Sequence, residues 1–157
     1  MKEAIQTLIT SDKMAHAFEY LKQDEAHTID QQIELVQISS FSPFEEKRAA
    51  RFKELLTEAG LDPVMDEVHN VYAHIHGTGI GPTLYVSAHL DTVFPPETPL
   101  PVKREGTKIY APGIGDDTRG LAEILTLARA IKESGLKPVG DIIIGGNVGE
   151  EGLGDLR

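Results

Sequence analysis

The chain has 157 residues, with 15 Lys+Arg against 25 Asp+Glu and a formal net charge of −10. That acidic excess argues against nucleic-acid and anionic-membrane partners, whose phosphates are held by Lys and Arg, while 40% hydrophobic and 25% charged residues suit one globular domain with a sizeable core. With no Cys, disulfides, thiolate metal sites and a cysteine nucleophile are excluded, and with no signal-like or 18-residue apolar run the expected location is cytoplasmic.

Residues 1–27 carry helical spacing in two pieces, Ile5/Leu8/Ile9 and Met14/Phe18/Leu21, with Ser11-Asp12 as a stop and restart. Their polar majority marks a helical N-terminal arm, distinct from the remainder over 28–157. A second helix opens at Thr28, with Gln31 three residues on in a capping-box pattern, and runs through Ile33 and Val36 to about Ile38. The next start combines Ser42 as cap, Pro43 in the first helical position and Glu45 returning the capping bond. Ala49, Phe52, Leu55 and Leu56 then share one face until Gly60.

The period changes to alternation over 64–68, 71–76 and 83–88, which predicts strands separated by Gly- and Pro-containing turns. The stretch 77–82, Gly-Thr-Gly-Ile-Gly-Pro, superficially resembles a nucleotide loop, but Pro82 leads into a strand and no helix follows to receive a phosphate, so it reads as a turn. A short strand pair around 102–104 and 108–111 precedes a helix from about Thr118 to Ser134, with Leu121, Ile124, Leu125, Ala128 and Ile131 on its buried side. Ile142-Ile143-Ile144 has the pattern of a strand covered on both faces. The order of elements is α/β: a mostly buried mixed sheet flanked by helices, with chemistry expected in loops at strand ends. Because the chain stops a few residues after Glu150-Glu151 without a closing element, it reads as the N-terminal part of a larger domain.

Three polar clusters follow or interrupt apolar segments: Ser87-Ala88-His89-Leu90-Asp91, Gly115-Asp116-Asp117 and Gly149-Glu150-Glu151-Gly152. Taken singly, each has an ordinary structural explanation: a hydrogen-bonded histidine, a helix cap and a solvated turn. Together they suit neighbouring loops of one sheet, and a site made of His and carboxylates favours zinc, cobalt or manganese. The two-residue step from His89 to Asp91 places both on one side of a continuing strand, where the carboxylate can accept the imidazole's second N–H and fix the tautomer that binds metal. His89 and Asp116 side chains are then expected within about 8 Å, since zinc ligands lie near 2 Å from the ion. His74 and His76 share a face at strand spacing, but no carboxylate accompanies them in the same strand or turn, and they read as a solvent-facing edge. His16, His27 and His69 are assigned nothing.

The runs 86–95 (Val-Ser-Ala-His-Leu-Asp-Thr-Val-Phe-Pro), 113–120 (Gly-Ile-Gly-Asp-Asp-Thr-Arg-Gly) and 149–152 (Gly-Glu-Glu-Gly) resemble, in order and spacing, the zinc-dependent aminoacylase, carboxypeptidase G, peptidase T and acetylornithine deacetylase family. The resemblance spans about residues 28–157. It implies the N-terminal part of a di-zinc aminopeptidase-like catalytic domain, interrupted in such families by a smaller lid through which they form homodimers. It further implies that His89 binds one metal, Asp116 bridges two, Glu151 binds the other, Asp91 orients His89, and Glu150 is the general base. The expected reaction is hydrolysis of an amide bond in a peptide or N-acyl amino acid by a metal-activated water. Where the family commonly has Asp-Asp-Lys, this chain has Asp116-Asp117-Thr118 followed by Arg119. The resemblance places a further carboxylate ligand and a late histidine beyond Arg157, so the 157-residue segment alone is expected to bind metal weakly and to be inactive. The rival readings are a non-catalytic metal-binding or regulatory module and a structural α/β domain with acidic caps.

Overall fold

A computed structural model describes residues 2–152. The two N-terminal apolar repeats form helices α1 (Lys2–Ile9) and α2 (Asp12–Gln23), broken where the Ser11 hydroxyl accepts the Met14 N–H and caps α2. Ile5 and Leu8 of α1 stay exposed, whereas α2 buries Ala17 and packs against a long helix, α5 (Thr118–Ser134). Between them in sequence, α3 (Glu25–Val36) begins three residues before the expected Thr28. Thr28 lies inside this helix, its hydroxyl bonded to the Asp24 carbonyl at 3.0 Å and to Thr126 Oγ1 at 2.6 Å. Gln31 Oε1 accepts from Arg129 Nη1 at 2.7 Å, so partners on α5 have taken the two side chains a capping box would use.

Helix α4 (Glu46–Glu58) also starts later than Ser42-Pro43 suggests, because the Phe44 N–H donates to the Phe41 carbonyl and closes a turn over 41–44. The Ser42–Pro43 peptide bond is cis, and Glu45 takes the cap position with no side-chain capping bond. The helix stops where expected, at Gly60, whose φ of 79° suits a residue without Cβ.

Strands β1 (Val64–Met65), β2 (Val71–Ile75), β3 (Leu84–His89) and β6 (Ile142–Asn147) form one sheet in the order β1-β2-β6-β3, while β4 (Lys103–Glu105) and β5 (Lys108–Tyr110) make a separate hairpin. β6 runs antiparallel to β2 and parallel to β3, so the sheet is mixed, and α5 is the crossover that parallel pairing requires. Val71, Ala73, Ala88 and Ile144 project to one face, where they pack with Phe52, Leu56, Leu121 and Leu125 of α4 and α5. Gly146 leaves room for Phe52: an added Cβ would lie 2.9 Å from two of its ring carbons. The opposite face carries Tyr85, Ser87 and His74, all exposed. The expectation of a triple-isoleucine strand covered on both faces is therefore corrected: Ile144 is fully buried, but Ile143, on the opposite face, is only half-buried, because the described helices cover one side of the sheet. The 77–82 stretch is a turn, tied to the opposite loop by Thr78 N–H to the Pro138 carbonyl. Among the described residues, no helix is long and apolar enough to cross a membrane.

Candidate metal and catalytic site

Strands β3 and β6 end side by side, with His89 paired to Asn147, so the segments leaving them emerge at the same sheet edge. Helix α5 begins there too. Asp117 caps it by accepting the Gly120 N–H at 3.0 Å through Oδ1, and its Oδ2 accepts the His89 backbone N–H at 3.2 Å. Asp116, joined to Asp117 by a cis peptide bond, sits beside His89, its Oδ1 2.8 Å from His89 Nε2. Glu151 completes a triad in which one ligand atom each of His89, Asp116 and Glu151 lie within 4.8 Å of one another. Glu150 Oε2 lies 3.9 Å from His89 Nε2, beside a small open cleft of about 210 Å³ lined also by Ser87, Asp117 and Asn147.

Asp91 is fully buried, and its role in the geometry differs from the strand-based expectation. The strand ends at His89, so alternation no longer governs Asp91. Its carboxylate turns inward, accepting the Glu150 N–H at 3.1 Å and the Glu151 N–H at 2.8 Å, and stands 3.6 Å from His89 Nδ1. The nearer partner of Nδ1 is the Asp91 backbone carbonyl, at 3.1 Å. A carbonyl can only accept, so Nδ1 carries a proton, and Nε2, once it gives up the proton it shares with the Asp116 carboxylate, is the nitrogen able to offer a lone pair.

The electrostatics follow from this crowding. Burial works against a charged imidazole at His89, but its contacts with Asp91 and Asp116 and the field of Asp117 outweigh burial and raise its pKa to about 9. Burial likewise opposes ionisation of Asp91, yet His89 and the two backbone N–H groups hold its carboxyl at about 2. Glu151 is pushed up, first by burial and then by Asp116. An imidazole nitrogen and carboxylate oxygens converging at this spacing form a donor set suited to zinc, cobalt or manganese.

Three supports lay outside the sequence reading. Arg48, buried in α4, donates through Nη1 to the Leu90 carbonyl at 2.8 Å and through Nη2 to the Ile38 carbonyl at 2.7 Å, holding the segment that carries Asp91. Burial lowers its pKa to about 10, partly offset by Asp91. Asn70 Oδ1 accepts the Val148 N–H at 2.9 Å, and Asp117 clamps His89 as well as capping α5. Arg48 and Asn70 bond backbone groups 42 and 78 residues away, which no local pattern signals.

Residues 85–156 match the model of Peptidase family M20/M25/M40. Over these residues the chain is similar to that family. Carboxypeptidase G2 of Pseudomonas sp. (strain RS-16) is 38% identical over 84 residues, covering 52% of this chain and 20% of that protein. The crystal structure of a tripeptidase from Staphylococcus aureus subsp. aureus mu50 superposes with a TM-score of 0.69 at 32% identity, covering 80% of this chain and 37% of its own. A dinuclear metal-binding peptidase of the M20 family from Bacillus subtilis shares the fold, with a TM-score of 0.59 at 15% identity over 80% of this chain and 36% of its own. The chain thus spans about a third of the length of these structures and a fifth of carboxypeptidase G2. Its mixed sheet flanked by helices is the architecture of M20 catalytic domains.

Proposed function

We propose that the protein containing this chain is a metal-dependent hydrolase that cleaves amide bonds of peptides or N-acyl amino acids. The observation that carries the proposal is the convergence of His89, Asp116 and Glu151 within 4.8 Å, with Glu150 Oε2 beside them at 3.9 Å from His89. His89, Asp116 and Glu151 would hold the metal, zinc or the chemically similar cobalt or manganese. When bound there, the metal would acidify a water and polarise the substrate carbonyl. The protein's own residues do the rest. Glu150 accepts the proton of the attacking water and returns it to the leaving amine. Asp91 holds the Glu150 and Glu151 backbone in place through its two N–H contacts, and its carbonyl fixes the His89 tautomer. Peptidases among the relatives, the tripeptidase above all, make short peptides the first substrates to assay, with N-acyl amino acids beside them.

The adjacent glutamates test this assignment. Glu151→Gln removes an anionic ligand, so metal content and activity should fall together. Glu150→Gln deletes only the proton acceptor, so turnover should fall by roughly 10²–10⁴ at normal metal content. Zinc stoichiometry and turnover of the whole protein are the readouts. A fully active Glu150→Gln enzyme with normal metal content would remove Glu150 from the mechanism.

A further inference from the structure

At the far end of β6 from Glu150, His74 of β2 and His76 just beyond it have gained a partner that the sequence does not place beside them. Antiparallel pairing sets Ile75 opposite Ile142, so the next position along brings Asp141 across from His76. The two imidazoles lie on one face with ring centroids 5.8 Å apart. One ligand atom from each of His74, His76 and Asp141 lie within 4.8 Å of one another. Asp141 Oδ1 accepts the Gly77 N–H at 2.9 Å, which orients the carboxylate and leaves Oδ2 at 3.6 Å from His76 Nδ1. That separation is long for a hydrogen bond and close to the spacing of about 3.4 Å between two ligand atoms on a tetrahedral ion with bonds of about 2.0–2.2 Å.

We propose that His74, His76 and Asp141 form a second divalent-metal site, selective for zinc-like ions and separate from the site at the other sheet edge. Asp141 directly precedes β6 and Asn147 ends it, so the six-residue strand holds the two sites apart by about 20 Å at about 3.3 Å per residue. No ligand is shared. Three protein groups leave one tetrahedral position for water, and the Gly77 N–H supplies the outer contact that metal-bound carboxylates ordinarily have. An ion here clips the end of β2 to the start of β6, joining the 77–82 turn to the 138–141 loop. The role is structural: the ion joins two segments that the chain separates by more than sixty residues.

The test uses the 157-residue chain carrying Asp116→Asn and Glu151→Gln, which disables the first site. Titrated with zinc alone by calorimetry, and with cobalt alone by visible absorption, this chain should bind one equivalent of either ion. Adding His76→Ala or Asp141→Asn should weaken that binding at least tenfold, since losing an outer partner alone typically costs about 10–100-fold. The His76 side chain is 79% exposed, so its removal should leave the fold intact by circular dichroism. Absence of zinc binding in the disabled chain overturns the proposal. So does binding that both added substitutions leave unchanged.

Discussion

Replacing Asp91 with Asn tests the buried carboxylate on which the Glu150-Glu151 loop rests. The carboxylate is fully buried and accepts Glu151 N–H at 2.8 Å and Glu150 N–H at 3.1 Å. Asn preserves the shape but offers one oxygen and one NH₂, so one of the two backbone N–H groups is left facing a donor. A hydrogen bond to a charged group contributes about 1.5–3 kcal/mol, and stranding a buried partner costs about 1–3 kcal/mol; because both figures describe the same group, the expected loss is about 2–4 kcal/mol. The proton affinity supplies an independent figure. A carboxyl held at about 2 instead of 3.8 stabilises the fold by about 2 kcal/mol. Because the folded-state value is the lower one, this contribution is complete above the unfolded value and lost as pH falls through the folded value. Urea denaturation of both chains should therefore show the full gap at pH 7 and pH 5, and roughly half the proton-linked part by pH 3. A gap below about 0.5 kcal/mol at pH 7, the range of an ordinary surface substitution, would refute the reasoning. So would a gap that does not narrow on acidification.

The pKa of about 9 at His89 means that metal must displace a proton, so in the chain carrying His76→Ala zinc affinity should rise about tenfold per pH unit between pH 6 and 8. A pH-independent affinity measured by competition with a chelator would exclude His89 as a ligand. Gly146→Ala places a Cβ 2.9 Å from two Phe52 ring carbons, which should destabilise the fold by about 1–3 kcal/mol in urea. Recovery in the double variant with Phe52→Leu would identify that contact as the cause, and an unchanged midpoint in Gly146→Ala would deny it.

Period alone made most elements legible. The Ser11 break, the strands near 64, 71 and 84, the hairpin over 103–110 and the whole of α5 stand where apolar spacing and Gly punctuation put them. The helix starts were less legible, because capping signatures assume that a polar side chain serves its own helix. Thr28 and Gln31 serve Thr126 and Arg129 instead, partners 98 residues away. The exposed face of the sheet was hidden for a related reason: a run such as Ile142-Ile143-Ile144 records hydrophobicity but not which segment covers it. His74 and His76 were read as a bare edge, since Asp141 joins them only through strand pairing.

At the candidate site, residue types were legible and directions were not. Gly-flanked carboxylates and a strand-end histidine identified all five residues now found together, yet the Asp91 carboxylate points to the Glu150 and Glu151 amides, because the alternation rule ends with the strand. What brings His89 to Glu151 is the register of one parallel strand pair, His89 opposite Asn147, with Leu90 N–H bonded to the Asn147 carbonyl at 2.6 Å just beyond it. A slip of one residue would turn His89 to the other sheet face and disperse the triad. The register is held from both sides: Phe52 fills the space over Gly146 on the helix face, and Tyr85 reaches across the opposite face to bond Asn147 Oδ1 at 3.0 Å. The packing of the sheet centre is therefore part of the candidate site's geometry.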